Sequence, residues 1–500
     1  MKSRTFELAL STILTTTLML PFQLAAQHVR YKFIDMPTLG GPAAWGQVDG
    51  DGTTQFINGP GVVVGGADTD IPDPSCNGCF LGHAFRWQDG ILTDLGAFPG
   101  SNWSHATSMN ARGWATGGGS ISSIDPLTGG PEERAVLWKE NQMIDLGTLG
   151  TGIESAALYV KNGGEVVGFS AVDTTVDPFA FVGLGPYPSP THTFIWKEGV
   201  MQDLGTLGGP DSFAGAGCNN ERSGTAVGSS FINSTPNPDT GFPTLHAFLW
   251  ENGKIQDIAT LGGTIGIAQC LNNRGQVIGF STLAGDNIGH PFLWNSGVTA
   301  DLGTLGGDFG QAIWINNAGE VVGQADLPGS ANHHAFLWKS GNMIDLGSLG
   351  STSFALSINS RGQVVGRSRI GDLNNPLQHA FLWENGGPMV DLNNLIPPNS
   401  SLELVEAYNL NDRGEIVGRG LPTGCDDLDS CGHVFLLIPC DNDASCDSKV
   451  DVVTTAAQQP IAVTNKSAGL SSQARQRPMS FVSAWRSRVA QRYPGLAHKD

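Results

Sequence analysis

Apolar residues in this chain fall in short alternating runs broken by turns, not in helical stripes. Residues 355–392 show the pattern. "ALSIN" (355–359) alternates small and branched apolar positions, "SRG" turns the chain, and "QVVG" (363–366) runs back. "HAFLW" (379–383) follows, then "ENGG", where Asn385 and Gly386 suit the positive φ of a tight hairpin, and then "PMVDL" (388–392). Four strands are predicted in this stretch. No window of twelve or more residues inside the repeated part has a 3.6-residue period, so no helix is predicted there.

The same pattern recurs along the chain, with three marks. An aspartate turn of the "DLGTLGG" type stands at Asp35, Asp94, Asp145, Asp203, Asp257, Asp301, Asp345 and Asp391. An apolar pair ending in glycine stands at Gly65, Gly168, Gly228, Gly279, Gly323, Gly366 and Gly418, with a looser version at Gly117. A "HAFLW" strand ends at Trp87, Trp138, Trp196, Trp250, Trp294, Trp338 and Trp383, with "HVFLL" ending at Leu437. The shortest unit is about 44 residues, and the longer ones carry insertions. Four short antiparallel strands in such a unit predict a propeller blade, because one blade cannot cover both its faces until others stack on it. The expected fold is therefore an all-β propeller of eight four-stranded blades. The last unit lacks its own fourth strand, while "YKFIDMPTLGG" at the start reads as a fourth strand with its turn. Residues 31–36 would thus complete the last blade and close the ring, protecting the sheet edges. An open β-solenoid is the competing architecture, and it suits long insertions less well.

The pattern "HAFLW…G…DLGTLGG…A..IN..G.VVG" over about 33–437 resembles the extracellular HAF-repeat family of exported bacterial proteins, named for its His-Ala-Phe triplet. The resemblance implies an exported repeat protein and brings no settled enzymatic activity with it. The second unit departs from the pattern, with "RAVLW" where the others have "HAFLW".

Among the repeated residues, His83, His192, His246, His290, His334, His379 and His433 could form a ring of metal ligands or of structural hydrogen bonds. The structural reading is preferred, because equal positions in successive blades lie too far apart to share one ion. The repeat aspartates, Asp94, Asp145, Asp203, Asp301, Asp345 and Asp391 among them, are read as acceptors for backbone N–H groups in their own turns. The aromatic residues of "FLW" are read as packing between blades. Trp103, in the loop "GSNWSHA", is a candidate sugar-stacking residue. The acidic loops "CDDLDSC" and "CDNDASCD" offer Asp426, Asp427, Asp429, Asp441, Asp443 and Asp447 as weak calcium candidates, since calcium takes six to eight oxygens. Neither loop matches the EF-hand pattern, and solvated loops pinned by disulfides are the plainer reading. Eight cysteines, Cys76, Cys79, Cys218, Cys270, Cys425, Cys431, Cys440 and Cys446, fit an oxidising compartment. A Cys218–Cys270 bridge is plausible, with connectivity left open. No GxSxG, HExxH or phosphate-binding glycine motif is present, so catalytic residues stay unassigned.

Composition narrows the function. The net charge of −19 argues against a nucleic-acid partner. Residues 1–26 read as a secretory signal, with Lys2 and Arg4 ahead of an apolar run too short and interrupted to span a membrane. Export, secreted or periplasmic, is expected, with no transmembrane anchor. The domains expected are the signal at 1–26, the propeller at 27–447, a linker at 448–480, and a basic tail at 481–500 able to form a short amphipathic helix. The long insertions at 66–82, 118–134, 171–191 and 229–245 mark the first half as the recognition side. The expected function is a binding or scaffold module for glycan or extracellular protein. A polysaccharide-acting hydrolase or lyase is the first alternative, and a structural surface or matrix component the second.

Overall fold

In the computed structural model the chain is built almost wholly of antiparallel strands. The structure describes residues 30–455, apart from 47–53, 74–77, 102, 141, 178, 180–186, 219, 239–240, 242, 330, 372–376, 441–445 and 447–452. Residues 1–26, read from sequence as a signal, and the tail at 481–500 lie outside the described residues. Among the described residues, short helical turns stand at Leu392–Asn394 and Leu428–Cys431.

Each unit is a four-stranded meander. The clearest has strands Gly310–Ile315, Val321–Asp326, His333–Lys339 and Asn342–Asp345, paired in chain order. Five sheets have four strands. A sixth, eight-stranded sheet is two meanders joined by one parallel pairing, Leu245 with Ile265. In the remaining sheet, Gly40–Trp45, Val63–Pro72, Phe80–Gln88 and Ile91–Gly96 are followed by Val453–Thr455, which pairs parallel to Ile91–Thr93. That fifth strand falls inside the stretch read from sequence as linker. At the start of the chain, Tyr31–Asp35 pairs antiparallel with His433–Pro439, with Tyr31 opposite Pro439 and Asp35 opposite Phe435. The first strand in sequence is thus the fourth strand of the last unit. The architecture is all-β and propeller-like.

The repeated glycine has a steric cause. A Cβ on Gly366 would overlap the carbonyl of Phe354 on the inner strand and stand 2.9 Å from the Phe381 ring. The inner strand carries a register shift between Ala355 and Ser357, which pushes that carbonyl toward the glycine. Glycine is therefore what lets the aromatic ring of the third strand lie flat on the second. Successive residues of "FLW" then face opposite neighbours. Phe381 and Trp383 pack with Val321 and Phe336 of the preceding unit, while Leu382 packs with Leu404 and Leu437 of the following one. Both sheet faces are buried, so these strands show continuous apolar runs rather than strict alternation.

A belt of side-chain hydrogen bonds links the units at the end bearing the first-to-second strand turns. Asn58 Nδ2 donates to the carbonyl of Asn110 (3.1 Å), and Asn110 donates to that of Lys161 (3.0 Å). Asn272 donates to Asn316 (3.0 Å), Asn316 to Asn359 (3.1 Å) and Asn359 to Asn411 (3.1 Å). Asn411 donates to the carbonyl of Asn58 (3.1 Å), joining the last unit to the first. In the third unit Lys161 takes the asparagine's place, and its longer side chain reaches the carbonyls of Arg222 and Thr225 at 2.6 Å each. Asn220 donates within its own turn, to Thr225 Oγ1, so among the described residues the asparagine-to-carbonyl bond is not made from there to Asn272, and the two turns are joined instead by Glu221 N–H donating to Asn273 Oδ1 at 2.7 Å. A disulfide between Cys218 and Cys270 spans the gap. Replacing both cysteines by alanine is expected to cost about 2–4 kcal/mol, read as a lowered midpoint in chemical denaturation. A change within error would make the covalent link redundant with the packing around it.

Candidate functional site between the second and third units

A meander alternates its connections between its two ends. The aspartate turns and the second-to-third strand connections share one end, opposite the asparagine belt. The insertions at 66–82, 118–134, 171–191 and 229–245 are all second-to-third connections, so they crowd the end that carries the aspartates and histidines.

There the histidines and aspartates form clasps. Within a unit, Nδ1 of the histidine opening the third strand meets the carboxylate ending the fourth. The pairs are His83–Asp94 (3.0 Å), His192–Asp203 (2.9 Å), His246–Asp257 (2.9 Å), His290–Asp301 (2.8 Å), His334–Asp345 (2.9 Å) and His379–Asp391 (2.6 Å). His433 reaches Asp35 of the N-terminal strand at 2.9 Å. Asp Oδ1 also accepts the N–H two residues on, as Asp301 does from Gly303 (2.7 Å), which has φ +71°. In the six clasps made within a unit, the carboxylate thus sets the turn and orients an imidazole at once. Sequence reasoning treated the two residues as separate rings. Their constant separation of 11 residues in five units was the available signal.

The Asp391 hydrogen bond raises the His379 pKa, aided by Glu403 against burial. Burial is the largest single influence on Asp391 and pushes it up, but the hydrogen bonds from His379 and Asn393, with the charge of His379, together outweigh it and the carboxyl ends below its usual range. The histidine's share of the stabilisation is present below its unfolded pKa and fades as pH rises through the raised one. The aspartate's share is present above its unfolded pKa and fades as pH falls. His379→Asn should therefore cost most near pH ~5.5, about 1 kcal/mol, and little above pH ~8, in denaturation midpoints across that range. A cost independent of pH would mean that packing, not charge, holds the clasp.

The second unit breaks the pattern. Arg134 stands where the others carry the clasp histidine, and its Nη2 pairs with Glu132 Oε2 at 3.0 Å. Asp145 keeps the turn bond to Gly147 (2.8 Å). Around Arg134 a polar cluster gathers from three segments. Asp125, Glu132 and Glu133 come from the second unit's insertion, Glu154 from just before the inner strand Ser155–Val160, and Tyr187 from the third unit's insertion. Burial raises the Glu154 carboxyl to about 8, with further upward pushes from Asp125, Glu133 and Glu132 against Arg134. The side chain is 6% exposed. Asp125 is 1% exposed, and its Oδ1 accepts the Leu127 N–H at 2.8 Å. Its Oδ2 and Arg134 Nη1 are buried without a hydrogen-bond partner among the described residues.

The cluster has an aromatic border. Trp103 is half-buried, with its ring tilted over His105 at 4.6 Å between centroids. A Cβ on Gly118 would overlap Glu133 Oε1 and stand 2.8 Å from His105 Cε1, so this glycine lets imidazole and carboxylate converge. The third unit's insertion is anchored on its far side by the buried Asp177 and Asp211 carboxyls. Burial raises both, Asp211 to about 7, where Asp177 adds to the push.

The remaining candidates lie elsewhere. Cys425–Cys431 and Cys440–Cys446 are bridged, each closing its own short loop. Cys79 is also disulfide-bonded, and Cys76 lies outside the described residues. In the first of these loops Asp427 caps the turn Leu428–Cys431, and Asp429 pairs with Arg419 at 3.4 Å. Asp441, Asp443 and Asp447 lie outside the described residues, as do most neighbours that a calcium site would need. Among the described residues no three His, Cys, Asp or Glu side chains converge as metal ligands, and no helix is long and apolar enough to cross a membrane.

No family model matches the chain, and no curated protein matches it. Solved structures do align with it. An acylaminoacyl peptidase of Pyrococcus horikoshii aligns at 11% identity and TM-score 0.37, over 73% of this chain and 56% of that one. Dipeptidyl peptidase 4 of Porphyromonas gingivalis aligns at 9% identity and TM-score 0.40, over 72% and 56%. An ulvan lyase aligns at 10% identity and TM-score 0.33, over 73% and 97%. The chain thus spans 56% of the length of each of the two peptidases. At this level of likeness the chemistry of the site has to be argued from its own residues.

Proposed function

We propose that this protein is an exported, closed eight-bladed propeller of the HAF-repeat kind that acts on a polysaccharide, as a hydrolase or lyase, at the cluster between its second and third units. The observation that carries the reading is the break in the repeat. One unit gives up its clasp histidine for Arg134, and four carboxyls gather beside it with an aromatic border. Sites that violate an otherwise consistent pattern, at a cost in buried charge, are where function is expected. Glycosidic cleavage needs two carboxyls in different protonation states, one giving a proton to the leaving oxygen and one activating water or the sugar. Glu154, held protonated near neutrality, suits the first role. Asp125 and Glu133 are the candidates for the second. Trp103 offers a face for a sugar ring at the border.

The test is product release. The purified mature chain is incubated with a panel of polysaccharides, and reducing ends and unsaturated products are measured separately. New reducing ends without unsaturation identify a hydrolase, and unsaturated ends a lyase. Glu154→Gln should remove the activity. The burial of Asp125 and Glu154 favours a second reading, a glycan-binding module without turnover. Saturable binding with no product from any polymer would establish that reading and end the enzymatic one.

A further inference from the structure

The last described strand aims the rest of the chain. Val453–Thr455 pairs parallel to Ile91–Thr93, and the Val453 N–H donates to the Gly90 carbonyl at 2.8 Å. Ile91–Gly96 runs from its hairpin at the asparagine-belt end toward the aspartate turn at Asp94. A parallel neighbour runs the same way. Thr455 lies opposite Thr93, so residue 456 leaves the first unit at the end that carries the insertions.

What leaves there is cationic. Residues 456–500 hold seven Lys and Arg side chains against Asp500 alone, and five of the seven are arginines between 475 and 492. Phe481, Trp485 and Val489 recur every four residues among them, which on a helix makes one apolar stripe. The receiving end has the opposite charge. The segments 66–82, 118–134 and 171–191 together hold eight Asp and Glu residues and one basic residue, Arg134. Attraction over a distance follows that imbalance and needs no vacant hydrogen bond, because the neutral donors these carboxylates already hold leave their charge in place. The same three segments expose one large apolar side chain each, Ile71 at 51%, Leu127 at 37% and Val176 at 60%. Single exposed apolar residues are ordinary, but three on successive acidic insertions match a segment that mixes arginines with Phe, Trp and Val. Reach is sufficient. Phe481 comes 26 residues after Thr455, and a flexible linker of that length spans about 25–30 Å on average and about 85 Å when extended.

We infer that residues 475–492 of this chain fold back over the insertions of its first three units, with the arginines toward the carboxylates and the Phe481–Trp485–Val489 stripe toward Ile71, Leu127 and Val176. The inference concerns what covers this end and is independent of the polysaccharide reading.

The test is hydrogen exchange on the full mature chain, read by mass spectrometry at two protein concentrations. At low salt the amides of 481–492 should exchange at least about tenfold more slowly than in a free peptide of the same sequence. At about 1 M salt, where screening shortens to about 3 Å, most of that protection should go. Arg486→Glu combined with Arg488→Glu should remove it at low salt and speed exchange in 171–177. Val176→Lys, at an exposed position, should weaken it with the thermal transition unchanged. Exchange at the free-peptide rate in the parent chain overturns the inference. Protection that grows with protein concentration places the segment on a second copy, and protection that appears only with vesicles of anionic lipid places it on a membrane. Either result overturns the fold-back. Protection that survives both variants overturns the assignment to these insertions.

Discussion

Replacing Ile34 by aspartate should abolish or nearly abolish cooperative folding. Ile34 is 3% exposed and packs with Met36, Phe85, Val434 and Leu436, residues drawn from the N-terminal strand, the first unit and the last. Tyr31, on the same strand, is buried in the neighbouring core with Leu404 and Leu437. The strand supplies the outer edge of the last unit and one half of the His433–Asp35 clasp. Removing the side chain costs about 2–5 kcal/mol by the usual toll of a large-to-small change. An unpaired carboxylate in its place adds several more, bringing the loss to the scale of a domain's whole stability. The contrast is Val453→Asp. Val453 lies on the fifth strand, beyond the four-stranded meander, and is 57% exposed. That change should stay within about 0.5 kcal/mol. Thermal and urea melts of the two variants decide the matter. If Ile34→Asp melts within a few degrees of the parent chain, the N-terminal strand is an appendage and the proposed closed ring does not depend on it.

The pairing of the N-terminal strand with the last unit was legible in the phase of the repeat, because the chain begins with a fourth strand and its last unit ends without one. The spacing of "VVG" and "FLW" was legible for a similar reason. The same close approach of aromatic ring, inner-strand carbonyl and glycine recurs at Gly65, Gly168, Gly228, Gly279, Gly366 and Gly418, so the same residues recur. The His–Asp clasp was within reach through its constant separation and was missed because each residue has an adequate role alone. The polar cluster was much harder to see. Asp125, Glu132, Glu133 and Tyr187 sit in insertions, and Glu154 just before an inner strand, and only folding brings them together. Their one trace in the pattern was "RAVLW", which was noted as a departure but not as a location. Lys161 in the asparagine belt is a similar case: its role becomes clear only when the next unit's turn is seen to have shifted.

The second large effect is expected at Glu154, where stability and activity should move in opposite directions. In the unfolded chain this carboxyl titrates near its usual 4.5, and in the fold near 8. A group whose folded pKa is raised contributes fully below the unfolded pKa and loses that contribution as pH rises through the folded one. Between those values folding takes up a proton, and stability falls by up to about 1.4 kcal/mol per pH unit. Glutamine has the same shape and no proton to lose. Glu154→Gln should therefore match the parent chain near pH ~4, exceed it by about 3 kcal/mol at pH ~7, and flatten the pH profile by one proton's worth of slope. Asp211, raised to about 7, should leave a residual slope of the same sign. A residue kept at this cost has to serve something other than stability, since exchange for a neutral isostere would strengthen the fold. The proposed service is the proton delivered to a glycosidic oxygen, so the stabilised variant should be inactive. A Glu154→Gln chain that is weaker than the parent at neutral pH, with an unchanged profile, would place a charged carboxylate at this position and remove the acid from the mechanism. A stabilised variant that still turns over polysaccharide would keep the proton in the fold and assign the acid to another residue.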